Sequence, residues 1–314
     1  MADVIRGQCC YDRLPGGRLR KEARMIVVAG STGNVGFALI EELAAMGVPV
    51  RALVHTPEKV ASVEREGVEA NVGDLGAPET LEAVLEGVER AFLLTPPDPR
   101  QPEWENNFIE AAERAGVHHV VKQSVMGADV ESPMRLGRIH GECERLLEES
   151  SMGWTFLRPN LFMQTTLAFA EQVATEGRFY APLPEAKTSM IDVRDVAAVA
   201  AKTLTEEGHE GKIYELTGPE AISHREIAEK LSKVLEKPVE HVEVSFEEAR
   251  GGMIEMGMPE WLADALYELF EVRQAGYTAG VTDTVRQITG REPRSYEEFA
   301  RDYKEAFGGG RAGS

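Results

Sequence analysis

Met25-Ile-Val-Val-Ala-Gly30-Ser-Thr-Gly33-Asn-Val-Gly36 is the stretch that decides the fold of this chain. A short apolar run, Met25 to Ala29, stops at Gly30, and glycine recurs at Gly33 and Gly36. Behind it runs a helical pattern from Phe37 to Met46, closed by Gly47. Strand, tight glycine turn and helix in succession are the context in which Gly-x-x-Gly-x-x-Gly signals a dinucleotide phosphate site. Backbone without side chains can approach a pyrophosphate closely, and the helix N-terminus offers unpaired N–H groups and a positive dipole end. Gly30, Ser31, Thr32, Gly33, Asn34, Val35 and Gly36 are therefore the candidate phosphate loop. The plainer alternative is a glycine-rich turn that binds nothing.

Outward from this turn, apolar runs alternate with helical stretches. Strands are expected at Met25–Ala29, Val50–Val54, Glu69–Val72, Ala91–Thr95, His119–Gln123, Trp154–Arg158 and Lys212–Leu216. Helices are expected at Asn34–Met46, Pro57–Glu66, Pro78–Glu86, Trp104–Ala115, Arg138–Ser150 and Val193–Glu206. This alternation predicts an α/β fold, a doubly wound parallel Rossmann-type sheet with helices on both faces. The last third changes character. Ser223/Glu226, Ser245/Glu248 and Ser295/Glu298 read as capping boxes, which predicts a smaller, mostly helical C-terminal subdomain. The expected organisation is a disordered leader over 1–24, a dinucleotide-binding domain over 25–217, a substrate or lid subdomain over 218–307 and a disordered tail over 308–314. Met25 would itself make a natural start.

The bulk properties bound the function. A 314-residue chain can build a large core, and 43% hydrophobic with 28% charged residues is ordinary for a globular protein. The net charge of −19 argues against nucleic acid or an anionic membrane as partner. No apolar run approaches a membrane span or a signal peptide. Three cysteines, Cys9, Cys10 and Cys143, make neither a disulfide framework nor a zinc set, and no other metal site is evident. A cytoplasmic setting is expected.

Which nicotinamide coenzyme binds is a question of charge. NAD sites usually carry Asp or Glu at the end of the second strand, to hold the ribose 2′-OH. Here that neighbourhood reads Arg51-Ala-Leu-Val-His55-Thr-Pro-Glu-Lys59, without an acid at the strand end. Thr56-Pro57 reads as N-cap and first helical residue, which puts Lys59 in the first turn. A cation there opposes the helix dipole unless an anion such as a 2′-phosphate lies near. His55 and Lys59 thus favour NADP(H) over NAD(H); the alternative leaves Lys59 solvated beside Glu58 or Glu66. Asp74 and Leu75, after the third strand, are placed to meet the adenine edge, although Asp74 also reads as a plain cap. Thr95 and Pro96 end the fourth strand where its loop would pass the pyrophosphate.

Together these segments resemble the NmrA-like group of atypical short-chain dehydrogenases/reductases, within it the NAD(P)H:quinone oxidoreductase and triphenylmethane-reductase-like proteins. The resemblance runs from Met25 to about Phe307. It is carried by Gly30–Gly36, Trp154-Thr-Phe-Leu-Arg-Pro-Asn-Leu-Phe162, Ile191-Asp-Val-Arg-Asp195, Gly208–Gly218 and Thr289–Arg294. Members often have arginine where His55 stands, so the coenzyme preference stays open on this point.

The wider superfamily uses Tyr-x-x-x-Lys, whose phenol donates a proton to a carbonyl. The corresponding helix here reads Arg138-Ile-His140-Gly-Glu-Cys-Glu144, with His-x-x-x-Glu in its place. His140 and Glu144 share one helix face. Glu144 would then orient His140 and raise its pKa, making an imidazolium that protonates the reduced substrate; the bland alternative is an exposed His–Glu contact. Ser124, ending the fifth strand, would bond the nicotinamide or substrate, or merely satisfy a turn. Pro159, Asn160 and Phe162 should border the nicotinamide, mainly through backbone, while Met163 and Trp261 line an acceptor pocket or pack in the core.

The resemblance implies an NAD(P)H-dependent reductase that passes a hydride to a quinone-like or other conjugated small-molecule acceptor. Its rival is a non-enzymatic dinucleotide sensor acting through a protein partner. A homodimer is also compatible with the sequence.

Overall fold

The structure, a computed structural model, describes residues 25–308. The expected leader lies outside the described residues, as does the tail beyond Gly308, which closes a short helix, Lys304–Gly308. The described strands are β1 (Ile26–Val28), β2 (Val50–Val54), β3 (Val68–Val72), β4 (Arg90–Leu93), β5 (His119–Gln123), β6 (Gly153–Pro159), β7 (Arg178–Ala181), β8 (Lys212–Leu216) and β9 (Glu240–Glu243). Seven of them form one sheet in the order β3-β2-β1-β4-β5-β6-β8, and every neighbouring pair is parallel. The chain first builds outward from β1 through β2 to β3, then returns to place β4 on its other side. The switch point beside β1 opens a crevice at the carboxyl ends of the strands, where ligands of such sheets bind.

Both faces of the sheet are covered, so its central strands are continuously apolar rather than alternating. Alternate side chains of β1 feed opposite cores. Ile26 and Val28 join Leu39, Leu43, Val196 and Val199 on one face. Val27 and Ala29 join Leu93, Phe108, Leu147 and Phe156 on the other. The helix behind the glycine turn, Asn34–Ala45, packs on the helix Val193–Thr205.

A third core gathers Met163, Val173, Phe179, Ile227, Leu231, Tyr296, Phe299 and Phe307. It draws on chain from both sides of the expected 217/218 division, and β7 pairs with β9 in a second, two-stranded parallel sheet. These two strands are absent from the sequence expectation, because Arg178–Ala181 and Glu240–Glu243 are short and flanked by helical patterns. The rest of the C-terminal region is helical, and all three capping boxes form with reciprocal bonds. None of the described helices is long and apolar enough to cross a membrane.

Element ends shift for local reasons. The helix expected at Pro57–Glu66 is a 3-10 turn, Pro57–Lys59, followed by one short turn, Val60–Val63. Two valines and a serine there are poor helix formers. Pro78–Glu86 breaks similarly into Pro78–Thr80 and Glu82–Leu85. The fourth-strand crossover helix begins at Gln101 rather than Trp104, since Pro102 fits the first turn without needing a donor.

Leu39 is fully buried where the glycine-turn helix meets the sheet. Leu39→Ala should therefore cost about 2–5 kcal/mol of stability. A urea titration in which the midpoint scarcely moves would count against this packing.

Candidate functional site

The glycine turn is tight for reasons the chain itself supplies. Gly30 has φ +75°, and a Cβ on it would lie 2.7 Å from the Leu94 carbonyl oxygen. A Cβ on Gly36 would lie 2.1 Å from the Gly30 carbonyl oxygen, inside any tolerable contact. Gly33 differs: a Cβ there would meet only the Gly30 oxygen, at 3.4 Å. Gly33 is the N-cap of the Asn34–Ala45 helix, with no side-chain cap and no acid in the first turn. Thr32, Gly33 and Asn34 are exposed, whereas Val35 and Gly36 are buried. The helix thus presents open N–H groups and an uncompensated dipole end at the crevice, which suits a phosphate. Ser31 takes a different part: its hydroxyl donates to the Leu53 carbonyl at 2.5 Å and ties the turn to β2.

At the far corner, His55 and Asp74 come together, with Nδ1 3.7 Å from Oδ1 and both side chains well exposed. Asp74 accepts the Gly76 N–H at 2.7 Å on that same oxygen, so it closes a turn of its own. Leu75 accepts from the Asn107 amide through its carbonyl at 2.8 Å. Lys59 is exposed in its single turn and makes no ion pair among the described residues. Thr56 is extended as an N-cap should be, but its side chain does not cap the backbone.

Pro96 is exposed beyond β4, and Pro159 is buried at the end of β6. Phe162 is half-buried and packs against the first core. The side chain of Asn160 is engaged within the protein: its amide donates to the Ser189 hydroxyl at 2.8 Å and the Thr278 carbonyl at 2.9 Å. Its Oδ1 accepts the Leu161 N–H at 2.8 Å. This side chain is a strut between loops. Met163 is buried in the third core.

The His-x-x-x-Glu reading requires correction. Glu144 does not orient His140; it pairs in a fork with Arg158 of β6, at 3.0 Å to Nε and 2.5 Å to Nη2. A bidentate guanidinium outcompetes an imidazole for a carboxylate. His140 turns the other way, toward two residues absent from the expected site. Its Nδ1 lies 3.4 Å from Lys122 Nζ and 3.5 Å from Gln101 Nε2. Burial, and then the Lys122 charge, hold the imidazole well below its ordinary pKa. This direction opposes the raised pKa expected from the sequence.

Lys122 and Glu105 are completely buried and ion-paired, with Nζ 2.8 Å from Oε2. Glu105 Oε1 accepts from Lys122 at 3.0 Å, the Thr95 hydroxyl at 2.8 Å and the Gln101 amide at 2.9 Å. Thr95 thereby spends its hydroxyl inside the protein. Burial, and then the neighbouring Glu105, push the Cys143 thiol up, so it is no nucleophile. Ser124, beside this cluster in sequence, has a buried hydroxyl with no partner, as does the Gln123 amide oxygen. An unpartnered buried hydroxyl at the ligand edge of the sheet fits contact with a bound group better than turn satisfaction. No group of three or more metal-ligating side chains occurs among the described residues.

Comparison with known proteins agrees with this fold. The NmrA-like family model matches residues 22–300. Over 284 residues the chain is 43% identical to an NAD(P)H azoreductase of Xenophilus azovorans, covering 90% of this chain and 99% of that one. An NADPH-dependent quinone oxidoreductase of Escherichia coli, solved in complex with NADPH, superposes with a TM-score of 0.81 at 29% identity, over 89% of this chain and 100% of that one. A Citrobacter sp. triphenylmethane reductase complexed with NADP(H) gives 0.79 at 27% identity, over 88% and 99%.

Buried imidazoles give the fold a directional pH response. Burial and nearby Arg90 lower His119 from 6.5 to about 4, and burial and Arg273 lower His224 to about 3. Folded-state values below the unfolded one mean stability that is present above 6.5 and lost as pH falls through the folded values. Denaturant midpoints should decline as pH is taken from about 7 to about 4. A flat or rising profile would contradict burial of these rings as neutral species.

Proposed function

The chain belongs to the NmrA-like family, and from that membership we propose that it is an NAD(P)H-dependent reductase of quinone-like or dye acceptors. The observation that carries the reading is the glycine turn: it excludes any Cβ at Gly36, leaves the helix uncapped, and opens at the switch point of the sheet. Relatives that span nearly the whole chain are named as reductases, so the sensor alternative is not favoured. When bound, the coenzyme supplies a hydride from its reduced nicotinamide ring.

On this reading the backbone of Gly30 to Gly36 cradles the pyrophosphate, with Ser31 contributing its N–H rather than its hydroxyl. Asp74 and Leu75 border the adenine. Pro96 follows the ribose, while Thr95 stiffens that edge through Glu105. Ser124, Pro159, the Asn160 backbone and Phe162 border the nicotinamide. His140 faces the acceptor, and Glu144 positions its helix through Arg158. The chain folded on the third core covers the acceptor side as a lid, in the sense of the 218–307 subdomain.

We read the coenzyme as NADP(H) rather than NAD(H). β2 ends without an acid for the ribose 2′-OH, and His55 and Lys59 supply donors for a 2′-phosphate. Asp74 stands near His55, but its nearer oxygen is committed to the Gly76 N–H.

Turnover of NADPH with a panel of quinones, azo dyes and triarylmethane dyes tests the activity. Tight binding of oxidised coenzyme with no turnover of any acceptor would overturn the reductase in favour of the sensor. Gly33→Ala should leave stability nearly unchanged, because the protein has room for the methyl group, yet weaken coenzyme binding about tenfold or more; equal affinity would reject the cradle. Lys59→Ala should weaken NADPH about tenfold relative to NADH, the worth of one charge-assisted phosphate contact. Equal losses for the two coenzymes would reject the 2′-phosphate reading.

A further inference from the structure

The buried cluster beneath the crevice says which kind of acceptor the site is built to reduce. Both neighbours of His140 Nδ1 are donors, an ammonium and an amide, so Nδ1 is an acceptor and the ring proton sits on Nε2. Nε2 has no hydrogen-bond partner among the described residues, and the residue keeps 7% exposure. The charges around it come from four elements. Lys122 lies on β5, Glu105 lies on the Gln101–Ala115 helix and balances Lys122, and Glu144 on the ring's own helix is neutralised by Arg158 of β6. Cys143, on the same helix, faces Glu105 as a neutral thiol.

We infer that His140 acts as a neutral hydrogen-bond donor through Nε2, its tautomer set by buried Lys122 and Gln101, toward an acceptor with a lone pair beside its hydride-accepting centre. A quinone carbonyl or an azo nitrogen has that lone pair. The inference rests on the reductase reading and specifies its substrate class. The ammonium behind Nδ1 draws electron density from the ring and strengthens the opposite N–H without making it an acid. A quinone gains one hydride and then a proton from solvent, and charge develops on its oxygen as the hydride arrives; the Nε2–H bond stabilises that oxygen. A triarylmethyl cation gains the hydride at carbon and needs no proton, so it draws little from this donor. Lys122, Glu105 and Gln101 are positioning residues.

The ring is tested first without turnover, by side-chain nitrogen NMR of the intact protein. His140 should be neutral with Nε2 protonated from about pH 6 to about pH 8. An imidazolium, or a proton on Nδ1, in that range overturns the inference. In Lys122→Met the ring should lose part of its preference for the Nε2–H tautomer, because the ammonium facing Nδ1 is gone; an unchanged tautomer population also overturns it. Turnover supplies the second arm. His140→Phe should slow quinone reduction about 100-fold, while His140→Gln, whose amide N–H stands near the place of Nε2–H, should recover all but about tenfold. Each loss should be smaller for a triarylmethane dye. Equal damage by Phe and Gln, or equal damage to both acceptors, rejects the donor role. If no acceptor is turned over by the unaltered protein, the reductase reading has failed, and the NMR result still decides the state of the ring.

Discussion

The approach of Gly36 to the Gly30 carbonyl is the contact on which the rest of the structure depends. With no room for even one carbon between them, the helix axis is drawn hard against the end of β1. That closeness lets Val35, Leu39 and Leu43 reach the core shared with Val196 and Val199. It also delivers the exposed turn of Thr32, Gly33 and Asn34 to the crevice beside β4. One steric constraint therefore sets both the packing of a face of the sheet and the position of its anion site. The same glycines would be a liability anywhere else in a helix, since each costs backbone entropy on folding.

A second constraint lies one strand away and is electrostatic. Placing Lys122 and Glu105 out of water costs several kcal/mol per ion, and an ion pair alone rarely offsets that. Here Glu105 also accepts from Thr95 and Gln101, so one oxygen carries three donors. Such a cluster is a poor way to stabilise a core, and an apolar pair of similar volume would serve better. Its location accounts for it: it joins the end of β4, through Thr95, to the ring of His140. Buried polar atoms without partners lie on Gln101, a member of the cluster, and on Gln123 and Ser124, which follow Lys122 in the chain. Local departures from good packing of this kind are where a fold serves chemistry rather than stability.

Much of this was legible in the chain. The seven strands of the main sheet follow from apolar runs bounded by glycine and proline, and the capping boxes announce three C-terminal helices by Ser and Glu at fixed spacing. The glycine turn carries its own diagnosis, because only close backbone approach requires that residue at those positions. What escaped were the strands β7 and β9, each four residues long and stable only through the other. The buried cluster escaped as well. Its one visible sign was a lysine inside the run His119-Val-Val-Lys-Gln123, a charge where a central strand should have none.

The sequence by itself determined the strand–turn–helix unit, the parallel sheet around it and the class of molecule its phosphate loop accepts. These rest on local sterics and on hydrophobic period, both written over a few consecutive residues. Only the tertiary structure decided who pairs with whom among the charged groups. His140 and Glu144 stand four apart on one helix, which brings their Cβ atoms near but does not choose their partners. Arg158 on β6 claimed the carboxylate, and Lys122 on β5 met the imidazole, because the sheet brought those strands beneath the helix. Charge pairing is settled by three-dimensional neighbours and by the cost of leaving any of them alone in a dry interior.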